Sequence, residues 1–411
     1  MLEKINFKDE LLRGSLILVI MFGLFNLLNY IFQISMANML ELADYGILAA
    51  LMSIVYIFGI PSEAIQIVIS KYTSKFNIKN QNGKIKDLLL RSIKKALILS
   101  SIFFIIFLIL GVFISLWLRI NFFLIALTGI AIFGTFLLPI TRGILQGKKK
   151  FKDMGLNMVL ESIFKIILSV MLVLLGLRVY GAMGALIMAF AIAFFLSLLA
   201  IKDVLLSKRE NENFEGIYSY NLPNLIAITA IVLMYSLDIL LARRFFSAEL
   251  AGQYAFVSLI GKAIVFINIA IGKVMFPLAS EKYENGTETK GILKKSIIFV
   301  MIISIIALFF YTLFPEFVVK VISLGSTKYL AASGILGILG LAFTFTSISN
   351  ILVLHNLSLN KMKKSAFFLI IFPVIEVVLL SIFNSNIMEF SISLALSNFL
   401  MLLYNLMLLK K

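Results

Sequence analysis

The sequence predicts an all-α polytopic membrane protein of about twelve transmembrane helices in two parallel six-helix repeats, and three observations carry that reading. The first is hydropathy: 61% of the residues are hydrophobic and 14% charged, at a mean hydropathy of +1.05, too little polar surface for a soluble globule of 411 residues. The second is run length. Apolar runs of about 20 residues, each able to cross about 30 Å of hydrocarbon as a helix, follow one another along the chain. The third is an internal echo between YIFQISMANMLELADYG from Tyr30 and YSLDILLARRFFSAELAGQYA from Tyr235. Tyr30 falls on Tyr235, Gln33 on Asp238 and Ala37 on Ala242; after a slip of four residues Tyr45 falls on Tyr254, and SKY at 70–72 meets SEKY at 280–283.

The first-half spans fall at 12–36, 45–70, 96–118, 122–145, 155–177 and 181–205, and the second-half spans at 222–242, 251–275, 293–313, 329–353, 365–383 and 389–409. The mixed-charge start, 1–13, precedes an apolar run too long for a signal-peptide core and lacking a small-residue cleavage site, so that run stays as the first span. Pro61 breaks the second span within FGIPSEA. The polar stretch SKRENENFEGIYSY divides the chain into an N-terminal bundle at 1–206, a cytoplasmic linker at 207–220 and a C-terminal bundle at 221–411. Six spans per half make the repeats parallel, related by an axis along the membrane normal. The segment PEFVVKVISLGSTKYL from Pro315 suits a short surface helix, and no loop is long enough for an extra soluble domain.

Cations set the orientation. With both termini cytoplasmic, inner loops and ends hold 28 of the 37 Lys and Arg, and outer loops hold six: Arg119, Arg178, Arg243, Arg244, Lys320 and Lys328. Lys and Arg resist translocation, so this bias selects N-in and C-in, and the net charge of +16 is mostly a topology signal. The cations form no stripe on a soluble domain, which points away from nucleic acid. The absence of Cys and a single His355 leave no disulfide, no thiolate chemistry and no evident metal or cofactor site. The abundance of Lys, Ile, Asn and Phe fits a prokaryotic source, with the cell membrane as the expected location.

The first span closing into LADYG, then FGIPSEA, TRGILQGKKKF and AGQYAFVSLIGKAIVFINIAIGKVMFPLASEKY, resemble the polysaccharide or oligosaccharide flippases of the MATE-like MOP superfamily over most of the chain. The resemblance implies a V-shaped pair of six-helix halves that moves a lipid-linked oligosaccharide, a polyprenyl-pyrophosphate sugar, from the inner to the outer leaflet by alternating access. It departs at Asn38, where many members carry a basic residue late in the first span; Arg243 and Arg244 in the second copy make a cationic site lopsided towards the C-terminal half.

A flippase needs a wet groove with cations for the phosphate, and charges at bilayer depth face such cavities or pair. Lys262, near the middle of the eighth span, is the leading phosphate contact, with pairing to a neighbouring acid as the even alternative. Arg243 and Arg244 suit headgroup anchoring better than substrate contact. Glu161 and Lys165, at i and i+4, read as a self-neutralising pair on a bundle-facing stripe, with Lys165 as a further candidate cation of the site. Glu376, in the matching second-half span, has no partner in its own helix, and Lys262 is one candidate for it. Asp238 and Glu63 are the other expected buried acids, open to a coupling H+ or Na+; Glu63 has the alternative of bonding backbone freed by Pro61. A MATE-type drug or metabolite exporter is the alternative function. A polyprenyl-dependent glycosyltransferase or polymerase comes third, because enzymes of that kind generally place catalytic residues on sizeable outer loops and these are short apart from 315–328. The expected partners are the lipid-linked sugar and membrane lipids, and a monomer is expected.

Overall fold

The computed structural model describes residues 10–212, 222–359 and 365–409, with side chains from residue 20 onward; the expected linker beyond Glu212 lies outside the described residues. Every regular element among them is helical. In order these are α1 (Glu10–Met39), α2 (Leu42–Phe58), α3 (Ile60–Asn77), α4 (Asn82–Leu118), α5 (Phe122–Gly147), α6 (Phe151–Leu172), α7 (Arg178–Ala200) and α8 (Lys202–Leu205). The second half holds α9 (Leu222–Met234), α10 (Leu237–Phe245), α11 (Ala248–Glu284), α12 (Lys290–Leu313), α13 (Pro315–Ile322), α14 (Leu336–Ser358), α15 (Ser365–Leu369), α16 (Ile371–Ile382) and α17 (Ile387–Leu409). Ten helices are long and apolar enough to cross a membrane, and eleven with the bent pair α9–α10 taken as one. One of these is the 50-residue stretch Phe151–Ala200, which reverses at Gly176 (φ 86°) so that α6 and α7 pack along each other. Counted as two crossings, it brings the described residues to twelve.

The chain divides into two compact units, one of residues 1–36 with 58–220 and the other of 37–57 with 221–411. The division falls at the polar linker, but 37–57, the end of α1 and nearly all of α2, clusters with the C-terminal residues. Chain order alone places that segment in the first bundle.

In the first unit α5 is central, packing on α3, α4 and α7. Gly143 and Gly147 let α3 approach closely: a Cβ at Gly143 would stand 2.8 Å from the Gln66 carbonyl oxygen, and one at Gly147 2.6 Å from that of Ser70. Small residues four apart allow this backbone contact in lipid, where apolar side chains gain nothing by clustering. Asn121 starts α5 by accepting the Phe123 N–H at 2.8 Å. Pro61 lies in the first turn of α3, after Gly59 separates it from α2. There its missing N–H is one that no helical carbonyl would have received. Beyond the crossings, Asp87 is fully buried and ties the start of the linker to α4, accepting from Arg209 Nε at 2.7 Å, Arg91 Nε at 3.1 Å and the Glu212 N–H at 3.1 Å.

In the second unit α14 holds the corresponding central place, against α11, α12 and α17. The fourth span of each half is thus the core, and the third is peripheral: the apolar windows of α4 and α12 are 17% and 22% buried, against 56% and 72% for those of α5 and the Leu330–Ser358 stretch. Apolar side chains exposed on α4 and α12, such as Ile105, Phe113, Ile305 and Phe309, are what lipid solvates. Residues 37–57 are held by a closely packed hub. Gly252 lies so near α2 that a Cβ there would stand 1.9 Å from the Leu42 carbonyl oxygen. Tyr329 stacks on Phe256 with centroids 4.0 Å apart, Tyr45 meets both rings edge-on, and the Tyr329 hydroxyl donates to the Ala37 carbonyl at 2.5 Å. Lys328 Nζ donates to the Leu40 carbonyl at 2.8 Å; burial draws this ammonium below the ordinary lysine range, against the pull of Glu41. The segment from Pro315 is the short helix α13, with Phe317 and Val321 exposed.

Candidate functional site

Each unit builds one polar ladder into an apolar helix face, by the same device. Residues spaced i, i+4 and i+8 stack on one side of a helix. In the first unit they are Asn157, Glu161 and Lys165 on α6; in the second, Tyr254, Ser258 and Lys262 on α11. All six are buried.

The first-unit ladder is completed by Arg142 from α5 and Asn29 from α1. Arg142 forms an ion pair with Glu161 and donates through Nε to Asn157 Oδ1 at 2.9 Å. Asn157 in turn donates to the Ala193 carbonyl of α7 at 2.7 Å. Glu161 and Lys165 are therefore not the self-neutralising pair that their spacing suggests. Lys165 Nζ donates to Asn29 Oδ1 and sits 4.6 Å from the centroid of Phe32, while Asn29 Nδ2 donates to Ser162 Oγ at 3.2 Å. The i,i+4 relation gives Glu161 and Lys165 the chance to pair, but the planar guanidinium of Arg142, brought in by the α5 crossing, takes the carboxylate. Formal charges sum to one excess cation, since two basic groups face one acid. One turn along, Gln66 Nε2 donates to Gln146 Oε1 at 2.9 Å, extending the polar face to the end of α5.

The second-unit ladder closes on Asp238. The bend between α9 and α10 places this residue in the first turn of α10, where backbone N–H groups favour a carboxylate. It accepts from Lys262 Nζ at 2.8 Å, Ser258 Oγ at 2.7 Å and the Tyr254 hydroxyl at 3.4 Å. Lys262 also stands 5.4 Å from the Phe343 centroid on α14. Its partner is thus Asp238 and not Glu376. Glu376 is fully buried on α16, both carboxyl oxygens lack a hydrogen-bond partner, and it lies within electrostatic reach of Asp238, Lys262 and Tyr254. Here two acids face one cation, the reverse of the first unit.

Other expected site residues fall elsewhere. Glu63 is exposed, not buried, in the first turn of α3, where Pro61 starts the helix and does not break one. Arg243, buried, and Arg244, partly buried, end α10 at the far side from Asp238. Asn268 is buried on α11 with neither amide atom hydrogen-bonded. Arg142 is the residue that sequence reasoning missed, because it was counted with the loop cations of TRGILQGKKK. The signal for it was in the sequence, since the fourth span at 122–145 already encloses Arg142, and the structure carries that helix on to Gly147. Among the described residues no group of three or more His, Cys, Asp or Glu could hold a metal ion.

A family model described as "Polysaccharide biosynthesis protein" matches residues 11–283. Among solved structures, the chain is similar to an inward-facing multidrug resistance MATE family transporter of the MOP superfamily, with TM-score 0.72 and 15% identity over 94% of this chain and 96% of that one. It is equally similar to the lipid II flippase MurJ in an inward closed conformation, with TM-score 0.72 and 13% identity over 95% and 88%. The eukaryotic MATE transporter AtDTX14 follows at 0.70 and 14%, over 98% and 96%. Among curated proteins, none matches the chain by sequence. The apolar spans of the described residues, ten or eleven before Phe151–Ala200 is divided, and a family match over residues 11–283 identify this chain as a multi-pass membrane protein of the transporter and flippase class, belonging to the polysaccharide biosynthesis protein family with the MOP fold.

Proposed function

We propose that this chain flips a lipid-linked oligosaccharide, a polyprenyl-pyrophosphate sugar, from the inner to the outer leaflet of a prokaryotic cell membrane by alternating access, for cell-surface polysaccharide biosynthesis. Both termini are cytoplasmic in this reading, the protein acts as a monomer, and no bond is made or broken. The observation that carries it is the excess cation of the first-unit ladder: Lys165 is buried with an amide and an aromatic ring as its neighbours, while Glu161 answers Arg142. A buried ammonium that must share one acid with a second cation is expensive at membrane depth unless an anion visits it. A pyrophosphate supplies that anion, and Asn29, Asn157, Gln66 and Gln146 supply hydrogen bonds of the kind sugars take. The phosphate site belongs on this account to the first unit, around Lys165, with Lys262 withdrawn from it by Asp238.

The acid-rich ladder of the second unit is the place for a coupling H+ or Na+, with Asp238 and Glu376 as its groups. The same ladder is what favours the second reading, a cation-coupled exporter of the MATE kind, whose acidic site would meet a cationic substrate. Reconstitution separates the two. Liposomes carrying the protein and a fluorescent lipid-linked oligosaccharide should show quencher-accessible probe appearing in the opposite leaflet, and Lys165→Ala should abolish this while a cationic dye is not moved by either protein. Transport of the dye with no movement of the lipid would overturn the flippase reading.

A further inference from the structure

We propose that Arg142 is a positioning residue that sequesters Glu161, and so keeps Lys165 available to an anionic substrate. The inference rests on the flippase reading and deepens its phosphate site. Glu161 and Lys165 lie one turn apart on the same face of α6, the spacing at which a carboxylate and an ammonium pair, with Glu in the favourable N-terminal position. They are within electrostatic reach of each other. Yet the carboxylate is held by Arg142, a residue of a different helix, and Arg142 is itself fixed by Asn157, whose amide is anchored on the Ala193 carbonyl. This chain of bonds runs from α7 through α6 to α5. Its effect is to hold Glu161 towards α5 and leave Lys165 facing Asn29 and Phe32.

Arg142 suits this role better than direct substrate contact. Its guanidinium is already committed at two of its nitrogens, and its side chain is 11% exposed. A guanidinium holds a carboxylate through a planar fork that a flexible ammonium cannot reproduce, so the competition for Glu161 goes to Arg142 and not to Lys165. Without Arg142, Glu161 keeps Lys165 on its own helix within electrostatic reach, and the two would neutralise each other at the place where a pyrophosphate must bind.

The test is binding of a long-chain polyprenyl pyrophosphate to the full protein in detergent, read by native mass spectrometry, with the corresponding polyprenyl alcohol as control and thermal unfolding measured in parallel. Arg142→Ala should bind the pyrophosphate at least about tenfold more weakly than the parent, and Arg142→Lys should keep part of the affinity. Arg142→Ala combined with Glu161→Gln should recover it, because no acid remains to occupy Lys165. Glu161→Gln alone should bind at least as tightly as the parent. A double variant as weak as Arg142→Ala, with both folded, overturns the positioning role and makes Arg142 itself the ligand of the phosphate. A parent protein that binds the pyrophosphate no better than the alcohol overturns the flippase reading, and this inference with it, whatever the variants do.

Discussion

Replacing Lys262 with methionine keeps the length of the side chain and removes its charge. Asp238 then stays buried with Ser258 and Tyr254 as its only side-chain donors. Breaking a buried ion pair by deleting one partner destabilises by about 3–5 kcal/mol, and two remaining donors to the stranded carboxylate place the loss here at the lower end, about 3 kcal/mol. Removing the stranded charge as well should recover most of that loss, because the side-chain amide of an Asp238→Asn variant still accepts from Ser258 and Tyr254 while carrying no charge to desolvate. The choice of second mutation is diagnostic. Lys262→Met with Asp238→Asn should unfold close to the parent temperature, whereas Lys262→Met with Glu376→Gln should unfold like the single variant, since Lys262 bonds to Asp238 and not to Glu376. Thermal unfolding of the purified variants in one detergent, followed by static light scattering, measures all four proteins on one scale. Rescue by Glu376→Gln and not by Asp238→Asn would refute the pairing.

Three further predictions concern other parts of the chain. Gly252→Ala places a methyl group 1.9 Å from the Leu42 carbonyl oxygen and should destabilise by about 1–3 kcal/mol or prevent assembly, while Gly184→Ala, with nothing within 4 Å, should be neutral or slightly stabilising; equal unfolding temperatures for the two would contradict the α2–α11 contact. In sealed right-side-out cells an impermeant maleimide should label Glu249→Cys and spare Lys79→Cys, both exposed positions in a chain without native Cys, and the opposite pattern would reverse the proposed topology. Glu376→Gln should leave lipid binding intact yet make transport indifferent to an imposed proton or sodium gradient; a variant that still responds to the gradient would remove Glu376 from coupling.

Hydropathy and the Tyr30–Tyr235 echo were enough to read the membrane class, the span positions and the repeated plan, because each depends only on residues close in sequence or matched along it. Lys262 and Asp238 were legible as buried charges for the same reason: a charge inside an apolar run announces itself. What could not be read was which charge meets which. Glu161 and Lys165 look self-contained at i and i+4, and nothing within α6 reveals that α5 delivers a guanidinium to the same face. Arg142 was hidden a second way, since its neighbours Lys148 to Lys150 make it look like part of a basic loop. Glu63 failed on a boundary: Pro61 mid-span and Pro61 at a helix start are the same letters, but only the first opens a carbonyl. The attachment of 37–57 to the second unit rests on Gly252 against Leu42 and on the edge-on contacts of Tyr45 with Phe256 and Tyr329, contacts between residues more than 200 positions apart that no local pattern encodes.

The two ladders share one backbone device and differ in the charge it displays, and that difference bears on how a repeated fold divides its work. Spacing residues at i, i+4 and i+8 on a buried helix gives each unit three polar groups at three depths without disturbing the apolar faces on either side. In the first unit the middle rung is an acid and the last a base, so an arginine from outside the helix leaves a cation over. In the second the middle rung is Ser258, which carries no charge, and both acids come from outside, on α10 and α16, so Lys262 is consumed and a carboxyl is left over. A buried group without a counter-charge is the one whose state a ligand can change most, because binding there removes a desolvation penalty and adds an attraction. On the proposed function, the surplus ammonium would be the rung for an anion and the surplus carboxyl the rung for a proton or sodium ion. Exchanging the surplus tests this division: Glu161→Gln adds a second free cation to the first unit and Ser258→Asp a third acid to the second. The first should tighten binding of the polyprenyl pyrophosphate; the second should leave that binding unchanged and shift only the gradient dependence of transport. If Ser258→Asp alters pyrophosphate affinity as much as Glu161→Gln does, the two ladders serve one ligand and the division fails.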